Sequence, residues 1–196
     1  MKRITIFGSS IPTEGSAVYE EARRLGGLLA REGYGIANGG YGGLMAATAR
    51  GARDAGGHTL GVTCRIWPTP PNPWIIEEVR TDDYLGRLRT LAERGDAYIV
   101  LPGGTGTLAE LAVVWEMMNK GTLARAIGGR KPLLVCKPYW QGVVECLRQE
   151  SGLSDLPAEQ AVERYAPVLS FIRFFSTPEE AVGQLTEAFS ESPAKY

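Results

Sequence analysis

Apolar residues in this chain fall into short unbroken runs, separated by longer stretches in which they recur every three or four positions. The runs at 3–7, 34–37, 59–63, 97–101, 132–136 and 171–175 are too short for helices and read as strands, with a further short strand at 75–79. Between the first two runs, Ala17, Val18, Ala22, Leu25, Leu28 and Leu29 trace one helical face, and Gly33 marks its end. Residues 44–54 continue as an alanine-rich helix closed by Gly56 and Gly57. Asp82 or Asp83 is placed to cap a helix running to Arg94. Helices are also predicted over 108–120 and from about Trp140 to Gln149. Thr177-Pro178-Glu179-Glu180 opens a final one, with a capping threonine, proline in the first turn, then acids. Residues 67–74 hold four prolines and exclude regular structure, and 151–169 read as irregular or weakly helical.

Strands alternating with helices imply βαβ units. The predicted fold is α/β, Rossmann-like and doubly wound: a mostly parallel sheet of about seven strands with helices on both faces. Residues 1–196 read as a single nucleotide-binding domain, with 190–196 a frayed tail. Ligands of such sheets sit at the carboxyl ends of the strands. Three glycine-containing loops fall there: Gly8-Ser9-Ser10, Asn38-Gly39-Gly40-Tyr41-Gly42-Gly43, and Pro102-Gly103-Gly104-Thr105-Gly106-Thr107.

Composition narrows the partner. The formal charge of the 196 residues is −1, so no basic field recruits nucleic acid, and no apolar run approaches a membrane span. The three cysteines, Cys64, Cys136 and Cys146, lie far apart without metal-ligand spacing and read as reduced packing residues, which suggests a cytoplasmic protein. No metal and no cofactor is expected. His58 stands at a helix-to-strand junction with no partner motif and reads as structural.

The third loop follows a strand and enters a helix, where backbone N–H groups converge and the helix end is partially positive. Its glycines admit the close approach of a phosphate. No Gly-Lys-Ser/Thr follows, and Gly8-Ser9-Ser10 lacks the three spaced glycines of a dinucleotide fingerprint. Lys120, Lys131 and Lys137 lack a Schiff-base context, so pyridoxal phosphate chemistry is disfavoured. Glu110 adds a carboxylate one turn into the helix, which points to chemistry on a nucleotide or sugar phosphate. Alternatives stand beside these readings. Thr107-x-x-Glu110 also has capping-box spacing. Arg87 also fits a solvated helix face, Gly39 to Gly43 a tight turn, and Ser9-Ser10 a helix-entry turn. Trp67, Trp74 and the prolines between them fit a lid, a dimer contact or a surface loop. Met117 and Met118 read as core or interface.

Pro102-Gly103-Gly104-x-Gly106-Thr107-x-x-Glu110 resembles the signature of the Lonely Guy (LOG) family, whose members were long labelled "possible lysine decarboxylase". Gly39-Gly40-Tyr41-Gly42-Gly43-Leu44-Met45 is similar to that family's upstream loop, and Phe7-Gly8-Ser9-Ser10 fits its first strand end. The resemblance implies a phosphoribohydrolase that cleaves the N-glycosidic bond of a cytokinin-type nucleoside 5′-monophosphate, or AMP, to free base and ribose 5-phosphate. It implies Glu110 as the catalytic carboxylate and Arg87, nine residues before Asp96, as its charged partner. It implies Gly103, Gly104, Thr105, Gly106 and Thr107 around the phosphate, with Gly39, Gly40, Gly42, Gly43, Met45, Ser9 and Ser10 completing the binding site. A homodimer or higher homo-oligomer follows from the same likeness. Leu88, Ala109 and Ala46 depart from the family pattern, which has lysine, an acid and glycine there. The same fold also includes a molybdenum cofactor carrier, so the alternative function is a non-catalytic carrier of a nucleotide-like or molybdenum cofactor.

Overall fold

The computed structural model describes residues 1–123, 131–153, 155–161, 163 and 170–190. In chain order these form β1 (Arg3–Phe7), α1 (Ala17–Arg31), β2 (Gly35–Asn38), α2 (Leu44–Asp54), β3 (Thr59–Cys64), β4 (Glu77–Thr81), α3 (Tyr84–Arg94), β5 (Ala97–Val100), α4 (Thr105–Asn119), β6 (Leu133–Cys136), α5 (Lys137–Arg148), β7 (Ile172–Phe175) and α6 (Pro178–Ser190). The seven strands make one sheet in the order β4-β3-β2-β1-β5-β6-β7, and every pairing is parallel. The predicted α/β sheet with helices on both faces is the fold observed.

Central strands are buried along nearly their whole length because helices cover both sides. The side-chain period of two divides them between two cores. Ile4, Ile6, Ile36, Ile99 and Leu134 face α1, α2 and α6, while Phe7, Ala37, Val100, Leu133 and Val135 face α3, α4 and α5. The edge strand β4 alternates half-buried and exposed residues and carries Glu77, Glu78 and Arg80 along its rim, which blunts edge-to-edge pairing. Helices α1 and α2 touch backbone to backbone: a Cβ on Gly51 would stand 1.8 Å from the Arg23 carbonyl oxygen.

Several boundaries differ from the sequence reading. Helix α4 begins at Thr105 rather than 108, so three residues read as loop form its first turn. Helix α5 begins at Lys137, because Pro138 sits at the start of a helix, where its missing N–H costs nothing. Strand β4 starts at Glu77, since Ile75 belongs to the preceding segment and packs at Gly61. Asp83 is the cap of α3, its Oδ1 accepting from the Gly86 amide at 2.8 Å. Thr177 Oγ1 accepts from the Glu180 amide at 3.2 Å at the start of α6. The stretch expected to be irregular, 151–169, lies partly outside the described residues, as does the tail beyond Ser190. Among the described residues, no helix is long and apolar enough to cross a membrane.

Candidate active site

The carboxyl ends of β1, β2 and β5 meet at one edge of the sheet, and backbone hydrogen bonds lock their loops together. The Leu101 amide donates to the Phe7 carbonyl at 2.9 Å, Ser9 N to the Pro102 carbonyl at 2.9 Å, and Leu44 N to the Ser9 carbonyl at 2.8 Å. Gly43 sits at φ +64°, where a Cβ would stand 2.3 Å from the Ser9 carbonyl oxygen, so the junction requires glycine.

The signature loop holds its carbonyls away from the mouth. The Leu101 carbonyl accepts from Trp140 Nε1 at 2.9 Å, and the Gly103 carbonyl from the Tyr139 hydroxyl at 2.8 Å. With Ser9 on the Pro102 carbonyl, three consecutive acceptors are engaged. The donors of the first turn of α4 are left open. Its first intrahelical bond, Leu108 N to the Gly104 carbonyl, is 3.0 Å, and among the described residues no side chain caps the amides of Thr105, Gly106 and Thr107 ahead of it. Gly104, Thr105 and Gly106 are exposed, while Thr107 is buried with its hydroxyl against Gly103. An uncapped helix N-terminus of this kind favours an anion.

Arg87 and Glu110 come together beneath this turn. They lie on α3 and α4 at 5% and 8% exposure, with Arg87 Nη1 3.3 Å from Glu110 Oε1. Arg87 Nε donates to the Val62 carbonyl at 2.8 Å, which aims the guanidinium across the end of β3. Its Nη2 reaches over Gly39, where a Cβ would stand 1.9 Å from it and 2.6 Å from Met45 Sδ. Among the described residues, Nη2 has no hydrogen-bond acceptor. Burial pushes the Glu110 carboxyl up to about 7, partly offset by the Arg87 charge and hydrogen bond. Glu110 is therefore neither a surface acid nor a capping residue: it lies in the second turn of α4, bonded to Arg87 instead of to a backbone amide. Arg87 is likewise no solvated helix arginine.

The second glycine loop supplies a floor. Gly39 and Gly40 are buried, and the Gly40 amide donates to Asn38 Oδ1 at 2.8 Å. Met45 brings its sulfur beside Gly39, while Gly42 and Ser10 lie at the rim. Ser9 is engaged within the protein, its hydroxyl accepting from the Ile11 amide at 3.1 Å.

Aromatic residues enclose the pair: Tyr41 of the second loop, Trp67, which the sequence leaves open as lid, dimer contact or surface loop, and Tyr84, which it does not single out. The Arg87 guanidinium carbon lies 5.8 Å from the Tyr41 ring centre and 5.6 Å from that of Trp67. Trp67 meets Tyr41 edge-on at 5.7 Å and Tyr84 at 5.8 Å. Residues 65–76, which join β3 to β4 without a helix, bring Trp67 over the site as a strap. Asn72 anchors it: its amide donates to the Gly40 carbonyl at 2.7 Å, and its Nδ2 donates to the carbonyls of Gly40 and Tyr41 at 3.0 and 2.8 Å. The only advance signal for Tyr84 was its spacing of three from Arg87, which puts both on one face of α3.

Lys131 is also buried, and burial lowers its amine to about 8. It stands at the opposite end of the sheet, where Nζ donates to the Ala92 and Gly95 carbonyls at the end of α3.

Comparison with known proteins gives this geometry its relatives. Over 139 residues, 69% of this chain and 71% of the relative, the chain is 31% identical to a cytokinin riboside 5′-monophosphate phosphoribohydrolase of Mycobacterium tuberculosis. It is 34% identical to a protein of the same name from Rhodococcoides fascians, over 61% of this chain and 63% of that one. With another from Arabidopsis thaliana it shares 32% identity over 82% of this chain and 75% of the relative. Among solved structures, the molybdenum cofactor carrier protein of Chlamydomonas reinhardtii matches with a TM-score of 0.72 at 17% identity, over 97% of this chain and 99% of that one. The molybdenum cofactor binding protein of Rippkaea orientalis matches at 0.68 and 20% identity, over 96% and 98%. These two likenesses are of fold. A model of the SLOG cluster4 family matches residues 1–135, and with the sequence relatives it fixes the membership: the chain belongs to the SLOG cluster4 family, among the LOG proteins.

Proposed function

We propose that this protein is a nucleoside 5′-monophosphate phosphoribohydrolase, acting on AMP or a cytokinin-type N6-modified AMP. The observation that carries the reading is the buried Arg87–Glu110 pair directly below the uncapped first turn of α4. The names of the sequence relatives support it.

In this mechanism the 5′-phosphate binds the amides of Thr105, Gly106 and Thr107 with the Thr105 hydroxyl, over the glycine floor of the second loop. The ribose then lies toward Glu110. As the C1′–N bond breaks, its electron pair leaves with the base and positive charge develops on the ribose. The ionised Glu110 stabilises that charge and takes a proton from the attacking water. The water oxygen bonds to C1′, and the proton passes to the departing base, so the products are free base and ribose 5-phosphate. A carboxyl near 7 exchanges protons readily at neutral pH. The free donors of Arg87 Nη2 polarise the leaving base.

Self-association belongs to the same proposal. Leu85 on α3 is 73% exposed and Leu108 on α4 is 39% exposed, an apolar margin beside the site that a second copy of this chain would cover. Sedimentation equilibrium reads that directly. Cys64, Cys136 and Cys146 are free, in keeping with a reducing cytoplasm.

The test is chromatographic detection of free base after incubation with AMP and, separately, N6-isopentenyl-AMP. Release of base with equimolar ribose 5-phosphate supports the hydrolase, and the two rates rank the bases. Binding without release, with absorbance beyond the protein band in the isolated protein, would favour the carrier.

A further inference from the structure

Helices α3 and α4 face each other in rungs. Arg87 opposite Glu110 is one rung. One turn closer to the mouth, Tyr84 opposite Gly106 is the next. A Cβ on Gly106 would lie 3.9 Å from the Tyr84 hydroxyl, so the phenol stands beside the open amides of the first turn of α4. Its position is fixed from two sides. Asp83 caps the backbone at the start of α3, and the Trp67 ring packs edge-on at an interplanar angle of 73°. Among the described residues, the Tyr84 hydroxyl has no hydrogen-bond partner. The backbone donors next to it are unpartnered as well, and the 94% buried Arg87 keeps Nη2 free at the other end of the same space.

We infer that Tyr84 is a substrate-binding residue whose hydroxyl donates a hydrogen bond to the phosphate of ribose 5-phosphate esters held on the first turn of α4. This rests on the phosphoribohydrolase reading, and it adds a second side-chain donor, beside the Thr105 hydroxyl, to a cradle built mostly of backbone amides. Gly106 matters for the same reason, because any larger residue would fill the space between the phenol and the amides. The phenol stays protonated through the working range, since burial and then the Glu110 charge push it up, so it acts as a donor. Tyr84 also places an aromatic wall next to Trp67, which narrows the mouth around a small ester and disfavours a polymer.

The experiment compares the full-length protein with Tyr84→Phe and with Leu147→Ala, an exposed residue of α5 outside the site. Calorimetric titration with ribose 5-phosphate and with ribose is paired with steady-state kinetics on AMP. Tyr84→Phe keeps the ring against Trp67 and should melt with the wild type. The expected result is a Kd for ribose 5-phosphate, and a KM for AMP, raised about tenfold, with kcat changed less than about twofold. Ribose should bind both proteins alike, and Leu147→Ala should match the wild type. Equal ribose 5-phosphate affinity in Tyr84→Phe and wild type would overturn the assignment of Tyr84 alone. A wild type that binds ribose 5-phosphate yet releases no base would overturn the hydrolase, while the two Kd values still decide Tyr84. A wild type that does not bind ribose 5-phosphate would overturn both.

Discussion

Arg87 Nη1 and Glu110 Oε1 are 3.3 Å apart across the α3–α4 interface, each side chain at most 10% exposed. A single hydrogen bond between two desolvated charges does not hold a fold together better than apolar packing would. Its place beside an open helix end suits the chemistry proposed above, and it sets what each perturbation of the site should do.

Replacing Glu110 with Gln keeps the shape of the pocket and removes the negative charge opposite the developing cation. Turnover should fall by about a thousandfold or more, while Kd for ribose 5-phosphate changes little. Base release and calorimetry on the same preparation measure both. Near-wild-type activity would reduce Glu110 to a structural role.

Thermal stability should depend on pH through the same carboxyl. In the folded protein Glu110 keeps its proton to about 7, whereas the unfolded chain loses it near 4.5. Between those values the native state binds more protons, so this group makes stability fall as pH rises from about 4.5 to about 7. Glu110→Gln has nothing to titrate there. Melting curves at both ends of the window should show a smaller decline in the variant than in the wild type.

Trp67, 36% exposed, covers the guanidinium that pairs with Glu110. Trimming it to Ala lets water reach the pair and weakens the burial that raises the Glu110 carboxyl. With Glu110 as the proposed base, the ascending limb of the pH–rate profile is expected near 7 in the wild type and should shift to lower pH in the variant. An unmoved limb would mean that the strap does not control hydration of the site.

Trp140 is 3% exposed and donates to the Leu101 carbonyl at the root of the signature loop. Trp140→Phe leaves that carbonyl unpaired, which costs about 1–3 kcal/mol. A lower denaturation midpoint with a raised KM for AMP is expected. A destabilised variant with unchanged KM would separate the anchor from the cradle.

Much of this molecule could be read along the chain, and the remainder failed for identifiable reasons. The strands were visible because a sheet covered on both faces needs unbroken apolar runs, as in Ala97–Val100. Glycine at Gly39 and Gly43 announced where a backbone must be approached closely. The start of α4 was misread because Gly106 looks like loop, and its uncapped first turn carries no capping residue to announce it. The burial of Arg87 had no local sign, since Arg87-Leu88-Arg89 has the look of a solvated face. Tertiary packing against β3, α4, the second glycine loop and the strap sequesters it. Tyr41, Trp67 and Tyr84 converge from three separate segments, and no spacing along the chain could declare that enclosure.

The strap between β3 and β4 has one more consequence. The Arg87–Glu110 pair is contributed by two helices rooted in the sheet, while the tryptophan over it hangs from a connection held by Asn72 on the second loop and by the Thr59 hydroxyl donating to the Trp74 carbonyl. The aromatic cover and the buried ion pair thus sit on separately heritable pieces of chain. A lineage could exchange residues 65–76 and reshape the cover over the site while the Arg87–Glu110 pair stayed in place.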